Sequence, residues 1–133
     1  MSKLEAIIKD FQDAITALEH ALKQEKNEFI RDSAILRFEL AFDLSWKALK
    51  AYLEEFHGLI CASPKKCFRE AYKQGLLEFD NIWIEMTDAR NEIAHLYKES
   101  LADELFQKLP KFLENFKKLL NLIEAEIRHI FNK

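Results

Sequence analysis

Within one eight-residue stretch, RNEIAHLY, the sequence sets Arg90, Asn91, His95 and Tyr97. An Arg holds a phosphate through two N–H groups and neutralises charge developing on it. A His gives or takes a proton near neutral pH. Together they could support metal-free attack of a ribose 2′-hydroxyl on the adjacent phosphate. Tyr97 could stack a base or accept a transferred group on its hydroxyl. The same side chains also have a purely structural reading. In it Arg90 pairs with a carboxylate, Asn91 bonds the backbone, and His95 sits near a helix end where it favours the dipole.

Spacing constrains the catalytic reading. In a regular helix Asp88, Asn91 and His95 share one side, with Trp83, Arg90, Ala94 and Tyr97 on a neighbouring side. Arg90 and His95 then project about 140° apart. They reach one narrow pocket only if the Arg bends round or the helix loosens near its end. Glu92 lies inside the motif, and an acidic cleft suits a partner protein or a controlled substrate better than bulk RNA. Two further acids, Glu39 and Asp43, lie one turn apart on a largely apolar face. They either bridge to Arg37 or Lys47 within their own helix, or approach Arg90 or His95 and set their protonation.

Cys61 and Cys67, in ICASPKKCF, lack paired C-x-x-C spacing, even with His57 nearby. They make a poor zinc site and read as reduced, small apolar fillers. No metal and no cofactor are expected.

The elements that must position these residues are helices. Only 2 Gly and 2 Pro occur in 133 residues, too little turn chemistry for a many-stranded sheet. Leu4, Ile8, Phe11, Ile15, Leu18 and Leu22 trace an amphipathic helix from about 3 to 24. A second runs from about Glu28 to Phe56 and stops at His57-Gly58. Ser63-Pro64 opens a short helix that ends at Gly75. Asp80 or Asn81 can cap the motif helix, which reaches His95 or Tyr97. Ser100-Leu-Ala-Asp103 has the form of a weak capping box for the last helix, which Pro110 must kink or divide. The expected fold is all-α, an antiparallel up-and-down bundle of four long helices plus a short one, as a single domain over residues 1–133.

A composition 49% hydrophobic and 32% charged is that of a globular chain, and a net charge of −3 excludes a generally basic nucleic-acid coat. The opening MSKLEAIIKDF carries charges in its first turns and does not read as a signal peptide. With no apolar run near about 20 residues, a cytoplasmic location is expected and a membrane partner is not.

RNEIAHLY matches the signature of HEPN domains, Arg, then Asn or Asp, then three residues, His, one residue and Tyr. RFELAFDLSWKALKAYLEE, from Arg37 to Glu55, resembles the second helix of one HEPN branch. SPKKCFREAYKQGLLEFDNIWIEMTDARNEIAHLY resembles the following helices of the same branch. That branch is named for nucleotidyltransferase substrate-binding proteins, and the resemblance covers nearly the full chain. It implies a homodimer encoded beside a small nucleotidyltransferase, the two working as one toxin–antitoxin-type complex. This chain would bind nucleotide or RNA through Arg90, Asn91, His95 and Tyr97 at the dimer cleft. The alternative it implies is a metal-independent HEPN ribonuclease toxin, with Arg90 and His95 catalytic, neutralised by the partner through nucleotidylation of Tyr97.

Overall fold

The computed structural model describes residues 2–78 and 81–132. The first helix, α1 (Lys3–Leu22), starts where the Ser2 side chain accepts the Glu5 N–H at 3.1 Å. It buries Leu4, Phe11, Ile15 and Leu18, four members of the sequence seam. Asn27 caps α2 (Glu28–His57) in the same way, accepting from the Ile30 N–H at 2.8 Å. Gly58, at φ 65°, ends α2 in the left-handed conformation that favours glycine. The Ser63 side chain then caps α3 (Pro64–Lys73), with Pro64 in its first turn as expected.

The motif helix, α4 (Ile82–Asn91), is shorter than its sequence pattern indicates. It gives way to a 3-10 turn over Ile93–His95. Asn81 stands at its N-cap without a side-chain cap bond, and Asp80 lies outside the described residues. The last helix, α5 (Glu99–Phe131), differs from expectation at its start. Its N-cap is Lys98 rather than Ser100, so Ser100 is already helical and forms no capping box. Asp103 instead turns to Lys26 and Arg31, each at 3.2 Å. Of the two outcomes expected of Pro110, a kink or a division, division does not occur, since α5 runs through it. Its ring stands on the exposed face, where water can satisfy the carbonyl that loses its helical partner.

Among the described residues the chain is therefore all-helical, a bundle of five helices. Cross-contacts set the directions. Arg31 meets Glu99 and Asp103 at one end, and Phe56 meets Phe131 at the other, so α2 and α5 run the same way. The five-residue connection 23–27 folds α1 back against α2. Where α1, α2 and α5 meet, Phe38 stacks on Phe112 with ring centres 5.3 Å apart, and Phe11 meets Phe116 edge-on at 6.0 Å. The short helices complete this core through Phe68 and Trp83, stacked at 4.7 Å, with Trp83 also against Phe116.

The cysteines depart from their sequence reading. Cys61 and Cys67 are both buried, as fillers would be, but they are bonded to each other, with Cα atoms 5.2 Å apart. The loop after α2 returns along α3 and brings the two side chains within bonding geometry. Among the described residues no helix is long and apolar enough to cross a membrane.

Candidate functional site

Arg90 lies on the face of α4 that is turned toward α2. Its Nε donates to Asp43 Oδ1 at 3.0 Å and its Nη2 to Asp43 Oδ2 at 3.3 Å, a two-pronged contact. Nη1 lies 3.0 Å from Glu39 Oε2. Glu39 and Asp43 thus reach across to α4. The reading that ties them to Arg37 or Lys47 is overturned, because those two cations stand exposed while the acids face the neighbouring helix. The hydrogen bonds that Arg90 donates to Asp43 raise its pKa above the ordinary value. The fields of Asp43 and Glu39 add to this, against partial burial, which lowers it. The guanidinium is therefore permanently charged and already matched by two carboxylates. A phosphate at Arg90 must compete with Asp43 or draw on the N–H groups that point away from it.

The rest of the motif faces solvent. Asn91 is the last residue of α4 and is exposed. The regular ladder ends there. The His95 N–H bonds the Glu92 carbonyl at 2.9 Å, and the Leu96 N–H bonds the Ile93 carbonyl at 3.1 Å. The helix end thus tightens into a 3-10 turn rather than loosening. The His95 imidazole is exposed, with Nε2 4.0 Å from Glu92 Oε2. Tyr97 follows with 77% of its surface accessible. Of the residues singled out from sequence, Arg90, Glu39 and Asp43 form one cluster. Asn91, His95 and Tyr97 are each exposed, at the end of α4 and just after it, and make up an open polar ledge.

Two features escaped the sequence reading. The first is Arg31, a 5% exposed cation at the start of α2. It bonds Glu99 at 2.5 Å, Asp32 at 3.0 Å and Asp103 at 3.2 Å. It fixes the start of α5 only two residues after Tyr97. Its signal was present in the sequence: Arg31 stands seven residues before Phe38, on the core-facing register of α2. The second is a trough of about 460 Å³ between α4 and the first turns of α5, bordered by Glu92 and Leu96 of the motif segment.

Comparison with known proteins bears on what this ledge serves. The chain is similar to the crystal structure of a Thermus thermophilus protein, at 36% identity and a TM-score of 0.81, over 85% of this chain and 98% of that one. It shares its fold with a Haemophilus influenzae protein, at 23% identity and a TM-score of 0.66, over 91% and 96% of the two chains. That structure is described as revealing the fold of a substrate-binding domain of a nucleotidyltransferase. No curated protein matches. The model of the nucleotidyltransferase substrate binding protein like family matches residues 6–125, nearly the whole bundle with the cluster and the ledge inside it, and the chain belongs to that family.

Proposed function

We propose that this chain is the helical, substrate-binding partner of a small nucleotidyltransferase, in a HEPN-type toxin–antitoxin pair. Its ledge of Asn91, His95 and Tyr97, beside Arg90, binds nucleotide or RNA. Membership of the family supports the partner. The observation that carries the site is the exposed placement of His95 on a 3-10 turn and of Tyr97 just after it, next to an Arg held rigid by Asp43 and Glu39. Rigid support for an open polar edge is what presentation of a substrate to a second protein requires.

Pairing of two copies fits the same region. Phe29, Leu36 and Leu40 share one face of α2 and are 82%, 50% and 41% exposed. That stripe runs beside Glu39 and Asp43. A second copy laid on it covers apolar surface and brings two ledges toward one cleft.

The second reading is a metal-independent ribonuclease with Arg90 and His95 as its pair. What favours it is the open placement of His95, whose imidazole reaches solvent on the turn that follows Arg90. The double carboxylate on Arg90 weighs against it. In that reading the partner silences the toxin at Tyr97. The phenolic oxygen attacks the α-phosphorus of a nucleoside triphosphate, pyrophosphate leaves, and the phenolic proton passes to solvent. The phosphate added there would bar an RNA phosphate from the ledge by charge and bulk.

The deciding experiment mixes the purified chain with an RNA pool in excess EDTA, wild type beside His95→Ala. It then adds the nucleotidyltransferase with labelled nucleoside triphosphate, wild type beside Tyr97→Phe. The partner reading expects a stable complex and no cleavage. Cleavage by wild type alone selects the ribonuclease. Label lost in Tyr97→Phe assigns the acceptor. If no complex forms, the proposal fails.

A further inference from the structure

The trough between α4 and α5 has a composition that specifies an occupant. Ile84 and Ala89 of α4 and Leu101 and Leu105 of α5 form an apolar floor, which Leu96 extends into the motif segment. The α4 wall runs from Asn81 to Glu92, about 16 Å along the helix axis at 1.5 Å per residue. This is an elongated channel about three helical turns long. Glu85, Asp88, Glu92 and Glu104 stand along its edges against a single lining cation, Lys108. Lys108 reaches Glu85 at 3.8 Å, and Lys65 of α3 meets Asp88 at 2.9 Å. Glu104 has no ion pair among the described residues, and Glu92 has only the 4.0 Å approach of His95.

We infer that this trough receives a basic amphipathic helix of the nucleotidyltransferase partner. The inference rests on the partner reading above. Apolar side chains at helical spacing fill the floor between α4 and α5, and flanking Lys or Arg residues meet Glu104, Glu92 and the outer carboxylates. Both features are needed to select this occupant. An RNA strand is repelled by four carboxylates, and a small polycation leaves the apolar floor wet. Because Leu96 belongs to the floor and Tyr97 follows it, the docked helix also steadies the 3-10 turn. Docking then presents the Tyr97 hydroxyl toward the protein that has just bound.

The test measures association of the chain with the nucleotidyltransferase encoded beside it, by calorimetric titration at low and moderate salt. Wild type is compared with the triple variant Glu85→Lys, Asp88→Lys, Glu104→Lys. A control with the same charge change, Asp10→Lys, Glu54→Lys, Glu55→Lys, alters the far side of the bundle. Circular dichroism verifies that each variant is folded, and Glu104→Lys alone serves as a milder probe at an exposed position. The expected result is association weakened about 100-fold in the trough triple and several-fold in Glu104→Lys, with the control within about threefold of wild type. Wild-type affinity in the trough triple overturns the docking site and leaves the partner reading standing. Absence of association by wild type overturns the partner reading, and the docking site with it. Saturable micromolar binding of spermidine to wild type, lost in the trough triple, replaces the helix with a small polycation.

Discussion

In the proposed site the guanidinium of Arg90 serves two masters. Asp43 and Glu39 fasten it to α2, which joins the motif helix to the core, and the same pairing competes with any phosphate. The balance can be moved without removing the Arg. Asp43→Asn keeps the shape of the contact and deletes one charge. We expect it to tighten binding of adenosine monophosphate several-fold by titration. The cost is about 1 kcal/mol of unfolding free energy, the scale of a partly screened ion pair. Unchanged nucleotide affinity would show that phosphate is held elsewhere on the ledge. Arg90→Ala removes the anchor to α2 and, with it, the proposed phosphate contact, and is expected to lose binding and stability together.

At the scale of elements, local signals were the legible ones. The seam of α1, the Ser63-Pro64 start of α3 and the Gly58 stop of α2 follow from residues within one turn of the boundary. What the sequence concealed depends on distant partners. Glu99 and Asp103 are claimed by Arg31 from about seventy positions away, so α5 begins where that ion pairing puts it rather than at Ser100. Arg90 was legible as chemistry, but its two carboxylate partners lay 47 and 51 positions back and left two pairings open. The disulfide likewise needed the path of the α2–α3 loop, which spacing does not reveal. A local signal allows a local test. Gly58 has a φ of 65° and no atom within 4 Å of where a Cβ would stand, so Gly58→Ala meets backbone strain without a clash. The expected loss is about 1 kcal/mol by denaturant titration, and Gly58→Asn should lose less.

At the scale of the whole molecule, Glu19 and Asp103 are among the carboxylates that connect helices distant in sequence. Glu19 joins α1 to Lys117 of α5, and Asp103 joins α5 to Lys26 and Arg31. The hydrogen bond from Lys117 holds Glu19 below its ordinary 4.5, and those from Lys26 and then Arg31 hold Asp103 below 3.8. A carboxyl depressed on folding stabilises the fold fully above its ordinary pKa and loses that contribution as pH falls through the folded value. Thermal unfolding is therefore expected to be flat above about pH 5 and to weaken below about pH 4. Glu19→Gln and Asp103→Asn should each lower the neutral plateau and shallow the acid limb. An unchanged acid limb in both would assign acid unfolding to other carboxyls.

The bond between Cys61 and Cys67 closes a small ring that spans the α2–α3 loop and the first turn of α3. Lys65 and Lys66 lie inside it and offer trypsin its preferred residues. A cut there severs the backbone without dividing the molecule. The N-terminal part, with α1 and α2, and the C-terminal part, with the ledge and the trough, stay covalently joined through sulfur. On a denaturing gel such a nicked chain travels as one species until a reductant is added, and then as two.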